Sequence, residues 1–168
     1  MLNKKWSSLD DERKTGGLKR GHFAEYYAEM QLMLYGFEVY KTIVDDRGID
    51  YIIRKPEEEK MGVFYEIQVK SVTPSKTGST NIKIDRDKFD ITNKRLYLLA
   101  IRWEDDKDPE MYIIPATEWA NPHYDRKIFY KGGKKEPQYN LKFPKKNPDL
   151  LRKYKLENYI GKIMTIKN

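Results

Sequence analysis

The stretch from Phe64 to Val72 (Phe-Tyr-Glu-Ile-Gln-Val-Lys-Ser-Val) constrains the fold of this chain more than any other. It reads as the body of a strand running from Val63 to Val72. Side chains alternate faces along a strand. Phe64, Glu66, Gln68, Lys70 and Val72 therefore share one face, and Tyr65, Ile67, Val69 and Ser71 share the other. The second set is ordinary core. The first set interleaves three polar side chains between two apolar ones. A solvated strand has no need of Phe64 and Val72 there, and a buried one does not tolerate Glu66, Gln68 and Lys70 without partners.

Partners are on offer a short distance upstream. Gly48-Ile49-Asp50 leads into Ile49 to Arg54, which also reads as a strand. The polar connection Pro56 to Gly62 carries turn residues at both ends, so the two strands are expected to pair as a hairpin. Asp50 then lies beside Gln68 and Lys70. A carboxylate, an amide carbonyl and an ammonium in one pocket can hold a magnesium ion and a water. Mg²⁺ prefers oxygen ligands, keeps several waters and takes only one or two carboxylates from a protein. The lysine would orient or deprotonate the attacking water, or offset charge that develops on phosphorus. The same residues also suit a plain Asp50–Lys70 salt bridge at a sheet edge, and residue types alone do not choose between the two.

At these residues the chain resembles the PD-(D/E)XK nuclease superfamily, in the branch that includes archaeal Holliday-junction resolvases and Mrr-like restriction endonucleases. That branch has a helix glutamate, then G-[IV]-D, then [EQ]-V-K-S. The similarity extends upstream through Arg20-Gly21-His22-Phe23-Ala24-Glu25, Leu32, Leu34 and Gly36-Phe37-Glu38-Val39. It covers roughly residues 20 to 115, and the specificity lies in three elements arriving in the right order and spacing. The resemblance implies that Glu25 is the helix acid, Asp50 the metal-binding aspartate, Gln68 the [EQ] position and Lys70 the catalytic lysine. It implies a hydrolase of phosphodiester bonds: an endonuclease acting on DNA, with RNA as a further candidate, dependent on Mg²⁺ or on Mn²⁺ as a substitute, in defence or repair. Homodimers are common among such nucleases, but no interface signature stands out here. One departure matters. Gln68 stands where Glu or Asp is usual, which removes one negative charge from the site. Glu66 lies on the same face, one strand repeat or about 6.6 Å away. The substitution keeps a second function open: a catalytically inactive nucleic-acid-binding module or subunit with the same fold.

Composition supports an anionic partner without proving one. The 168 residues carry a net charge of +7, with 35% charged and 39% hydrophobic residues, so the surface is densely charged. Nucleic acid is the economical partner for such a surface, although a merely soluble basic surface explains the charge equally well. The absence of cysteine excludes disulfides and thiolate metal sites, and two histidines argue against a histidine-rich zinc site. No apolar run reaches the roughly 18 residues that suggest a membrane span. The opening Met-Leu-Asn-Lys-Lys-Trp-Ser-Ser has no apolar h-region. A cytoplasmic protein without membrane contact is expected.

The expected fold is α/β, restriction-endonuclease-like: a mixed central sheet of about five strands flanked by helices. Residues 1–19 read as a polar extension broken at Gly16-Gly17, and residues 20–168 as one domain. Within it, 20–119 is the core and 120–168 a basic, aromatic-rich C-terminal part. A helix is expected over 21–35, with Phe23, Ala24, Tyr27, Ala28, Gln31, Leu34 and Tyr35 on one side and Gly36 as its C-cap. Glu25 and Glu29 form an acidic stripe on it. Further strands are expected at 39–43, 82–84, 96–103 and 111–115, the last two as a hairpin. A helix capped by Asp85 should follow the 82–84 strand, and a short helix should begin at Ala116. Thr73 to Thr80 reads as a polar loop. In the tail, interleaved lysines and tyrosines suit a nucleic-acid backbone and its bases. They suit at least as well a strand at 138–143 and an amphipathic helix at 148–159 with solvated lysines.

Overall fold

The computed structural model describes residues 6, 16–44, 47–56, 63–74, 80–120, 128–132, 137–144 and 148–165. Helix α1 spans Gly16–Leu34. It starts five residues before the position expected from the Gly16-Gly17 break. Glycine is tolerated there because first-turn N–H groups make no intrahelical bond. The helix ends as expected at Gly36, whose φ is +84°. The Phe37 N–H reaches back to the Leu32 carbonyl at 3.2 Å and the Gly36 N–H to Met33 at 2.9 Å, which is the Schellman pattern of closure.

The buried line of α1 is Ala24, Ala28 and Leu32, at intervals of one turn. Two alanines at the contact let the helix lie close against the sheet. Phe23 and Leu34 do not join this line as expected. Leu34 is 79% exposed, since two residues beyond Leu32 is about 200° around the helix. Trp6, within the expected polar extension, is docked: its indole packs against Phe23 and Trp103 and donates to the Lys107 carbonyl at 2.9 Å.

Five strands form the main sheet: β1 (Glu38–Lys41), β2 (Tyr51–Arg54), β3 (Phe64–Val72), β5 (Leu96–Arg102) and β6 (Glu110–Pro115), in the order β1-β2-β3-β5-β6. β3 and β5 run parallel and the other pairs antiparallel, so the sheet is mixed as expected. β2 and β3 pair as the expected hairpin, although residues 57–62 of their connection lie outside the described residues. The α1 face carries one core: Tyr51, Ile53, Tyr65, Ile67 and Val69, with Tyr97, Leu99 and Ile101 from β5.

The opposite face holds what the sequence reading missed. A second, three-stranded sheet, β4 (Thr80–Asp85), β8 (Gln138–Phe143) and β7 (Phe129–Gly132) in the order β4-β8-β7, packs there. Its inner residues, among them Ile82, Ile84, Tyr139, Leu141 and Phe143, meet Leu96, Leu98, Ala100, Tyr112 and Ile114 of β5 and β6. The aromatics Phe129, Tyr139, Phe143 and Tyr154 are therefore core rather than base-stacking surface. The strand at 138–143 falls where it was expected. The basic segments around residues 133–136 and 145–147, and loop residues 75–79, lie outside the described residues.

Two local expectations need correction. Asp85 does cap a helix, accepting from the Asp87 N–H at 3.0 Å, but that helix is a single 3-10 turn, Arg86–Lys88. The terminal helix is in two parts, a 3-10 segment Pro148–Tyr154 and then α2, Leu156–Thr165. Among the described residues no helix is long and apolar enough to cross a membrane.

Candidate active site

Asp50 sits where β2 leaves the sheet. Tyr51 is registered opposite Ile67, so Asp50, one residue earlier, falls opposite Gln68. The Asp50 N–H still bonds to the Ile67 carbonyl at 2.9 Å. The chain then turns away through Gly48, at φ +68°. In place of a main-chain carbonyl, the Asp50 carboxylate accepts the Val69 N–H at 2.6 Å. This hydrogen bond fixes the carboxylate against the middle of β3, and a carboxylate retains further lone pairs after accepting it.

Gly48 is required by space as well as by its backbone. A Cβ there would lie 2.6 Å from the Gln68 Nε2 and 3.2 Å from the Lys88 carbonyl oxygen. The Gln68 amide thus fills the place a side chain would occupy. Gln68 is 3% exposed, and its Oε1 is buried without a hydrogen-bond partner. An orphaned buried acceptor costs about 1–3 kcal/mol. Lys70 follows on the same face of β3, half-buried. Among the described residues it forms no ion pair, so the simple Asp50–Lys70 salt bridge is not what the chain builds.

Glu25 reaches this end of the sheet from α1. Its Oε2 is 3.2 Å from the Lys41 Nζ of β1 and 4.0 Å from His22 Nδ1. The hydrogen bond from Lys41 to Glu25 raises the Lys41 pKa above its ordinary value. Tyr51 stands between the two acids. Its hydroxyl donates to Glu29 Oε2 at 3.3 Å. Burial, the Glu29 and Glu25 carboxylates, and more weakly Asp50, all push its pKa up. The sheet therefore brings Asp50, Gln68 and Lys70 together on one face, while Glu25 belongs to a Tyr51–Lys41–Glu29 cluster on the helix side. Lys41, Tyr51 and the Gly48 cradle escaped the sequence reading. The signal available for Tyr51 was its place next to Asp50 in a strand, which sends it to the opposite face.

Among the described residues no three His, Cys, Asp or Glu side chains converge on a point. A divalent cation here would take Asp50 and Gln68 as its protein donors and fill its remaining positions with water. Two oxygen donors of that kind suit Mg²⁺, and the orphaned Gln68 Oε1 is an acceptor with bonding capacity to give. The residues fit the ion.

Comparisons with known proteins agree with this geometry at the level of fold. No family profile matches the chain. A UPF0102 protein of Rhizobium meliloti strain 1021 is 31% identical over 123 residues, an alignment covering 68% of this chain and 91% of the relative. Among solved structures, a bacterial homing endonuclease superposes with a TM-score of 0.50 at 19% identity, covering 86% of this chain and 92% of that one.

Proposed function

Because the chain belongs to the UPF0102 family, and by its restriction-endonuclease-like fold to the PD-(D/E)XK nuclease superfamily, we propose that it is a metal-dependent nuclease that hydrolyses DNA phosphodiester bonds. The observation that carries this reading is the buried, unpartnered Oε1 of Gln68, the β3 residue that lies opposite Asp50 by register. A protein that leaves a buried acceptor unpaired forgoes stability, and a place for an ion is one physical account of such an exception.

In this reading Asp50 and Gln68 hold the ion, and Glu25 stays paired with Lys41 on the helix side. When bound, the ion supplies Lewis acidity toward the phosphate and lowers the pKa of water. Every other task falls to the chain. The Val69 N–H keeps the Asp50 carboxylate from rotating. Gly48 keeps the Gln68 amide pressed against the loop backbone. Lys70, about 6.6 Å along the strand from Gln68, orients the attacking water and offsets negative charge as it grows on the phosphoryl oxygens. The net charge of +7 draws the polyanion to the surface.

Nicking of supercoiled DNA in Mg²⁺ and in Mn²⁺ tests the reading. The parent should nick, and Asp50→Ala and Lys70→Ala should not. Nicking that persists undiminished in Asp50→Ala overturns the site. No nicking by the parent with either ion, together with retained DNA binding, would favour the inactive binding module.

A further inference from the structure

The sequence singles out Glu66, and hydrolysis at Asp50 and Gln68 gives it no task. Its surroundings do. On the face turned away from α1, the side chains of β1, β2 and β3 stand in rows set by register. Glu38, Arg54 and Phe64 form one row, and Tyr40, Ile52 and Glu66 the next. Asp50 and Gln68 begin the row after that. The first row is closed on itself: Arg54 Nη2 is 2.5 Å from Glu38 Oε2, and the guanidinium lies over the Phe64 ring, 5.6 Å from its centre. The middle row borders a cavity of about 490 Å³, lined by Tyr40, Ile52, Phe64, Glu66, Asn93 and Arg95. That volume is within the range of small-ligand sites.

Three features of the cavity point to a nucleobase. Its apolar wall is aromatic and accessible, with Tyr40 47% and Phe64 41% exposed on either side of Ile52. Its acceptor is positioned: Glu66 Oε2 takes a hydrogen bond from Asn93 Nδ2 at 2.7 Å, and Asn93 Oδ1 takes one from the Arg95 N–H at 2.9 Å. That leaves acceptor capacity on the Glu66 carboxylate for a guest. Its location is beside the candidate site, one strand repeat or about 6.6 Å from the Asp50–Gln68 row.

Resting on the nuclease reading, we propose that this cavity takes the base of an unpaired nucleotide adjoining the scissile phosphate, so that single-stranded or strand-interrupted DNA is preferred to continuous duplex. A base inside a duplex is held in its stack and does not enter a side pocket; enzymes that read one base in a pocket use single strands or extrude the base. Tyr40 and Phe64 offer ring surfaces to the base. Glu66 accepts from the exocyclic amino group of cytosine or adenine, which thymine lacks. Arg95 stands at the cavity edge as a cation for the backbone.

Fluorescence anisotropy in EDTA at one fixed salt concentration reads binding without cleavage. Labelled single strands of dC, dA and dT are compared with a duplex. The dC and dA strands should bind about tenfold tighter than dT, as one good base contact allows. Phe64→Ala and Tyr40→Ala should each weaken single-strand binding about tenfold, the size of a lost stacking contact, and leave duplex binding unchanged. Phe64→Leu keeps apolar bulk without a flat ring and should weaken it too. Glu66→Gln should erase the preference over dT. Equal binding of single strands by parent and ring variants, or a loss shared equally with duplex, overturns the proposal. Cleavage separates the two readings. A parent that nicks DNA, with ring variants that nick duplex and unpaired substrates just as it does, leaves the nuclease standing and removes the base site. A parent that never cleaves, with ring variants that still lose single-strand binding, does the reverse.

Discussion

Two polar clusters lie along the main sheet, built from similar residues, and they have been finished differently. At the start of β6, Arg102 Nη1 is 2.5 Å from Glu110 Oε2 and its Nη2 is 2.8 Å from Glu104 Oε2. Lys155 Nζ adds a contact of 3.3 Å to Glu110 Oε1, and Lys107 pairs with the other oxygen of Glu104. Each carboxylate meets two cations. Burial raises the Glu110 pKa, but the hydrogen bonds and charges of Arg102 and Lys155 outweigh it and hold the carboxyl below its ordinary value. Around Asp50 the accounting stays open: Gln68 Oε1 has no partner and Lys70 no counter-ion among the described residues. Charge and partial burial are common to both clusters. What distinguishes the second is bonding capacity left unused.

The sharpest way to break this comparison is to empty each cluster and assay both properties. Asp50→Ala and Lys70→Ala should lower Mg²⁺-dependent nicking at least about a hundredfold, the scale of losing several kcal/mol of transition-state stabilisation. The urea midpoint of Lys70→Ala should move little, whereas Asp50→Ala also orphans the buried Val69 N–H and should cost about 1–3 kcal/mol. Removing Arg102 should do the opposite of Lys70→Ala. Arg102→Met leaves Glu110 and Glu104 with fewer partners at two-thirds burial. It should cost about 1–3 kcal/mol in urea unfolding and leave nicking unchanged. Equal loss of activity in both variants would erase the distinction.

Gln68 sharpens the comparison further. Gln68→Met removes an orphaned acceptor while keeping volume, so stability should rise by up to about 1 kcal/mol as nicking disappears. Gln68→Glu places a second carboxylate next to Asp50. It should lower the melting temperature in EDTA, regain it on adding Mg²⁺, tighten the ion and keep nicking equal or higher. A melting temperature that ignores Mg²⁺ in both parent and Gln68→Glu would argue against an ion at this place.

The smallest expected effect is in pH. The folded Glu110 pKa lies below its unfolded value. Its pairing therefore contributes full stability above the unfolded pKa, and the contribution is lost as pH falls through the lowered folded value. The group is partly exposed, so solvent screening keeps the contribution under about 1 kcal/mol. Glu110→Gln should lower stability at neutral pH by under about 1 kcal/mol, flatten the acid side of a stability–pH curve from about pH 4.5 downward, and meet the parent at the acid end. An acid side as steep as the parent's would show that the pairing carries no stability.

Much of this was legible along the chain because it depends on nearest neighbours in sequence. Alternation alone separates Tyr65, Ile67 and Val69 from Glu66, Gln68 and Lys70, and the structure puts the first three in the α1 core. The β2–β3 hairpin, the Gly36 terminus and the strand at 138–143 follow from pattern and turn chemistry in the same way. Grouping Asp50 with Gln68 and Lys70 needed only one further step, the register of a hairpin.

What the chain did not disclose depends on where distant segments land. The pairing of β4 with β8 joins Thr80 to Phe143, and no local periodicity encodes a contact across so much chain. That pairing turns the aromatic tail into a second core. The tail's composition is the same whether its rings are buried or exposed, so only packing could decide. Glu25 shows the same limit. The sequence placed it on a helix, but the placement of α1 against β1 gave it Lys41 and set it on the far side of Tyr51. The sequence determined which residues are polar on which face, because covalent geometry fixes alternation. The tertiary structure alone decided which of those polar groups found partners and which, like Gln68, were left without one, because hydrogen bonds between side chains form only where the packing of separate segments brings donor and acceptor together.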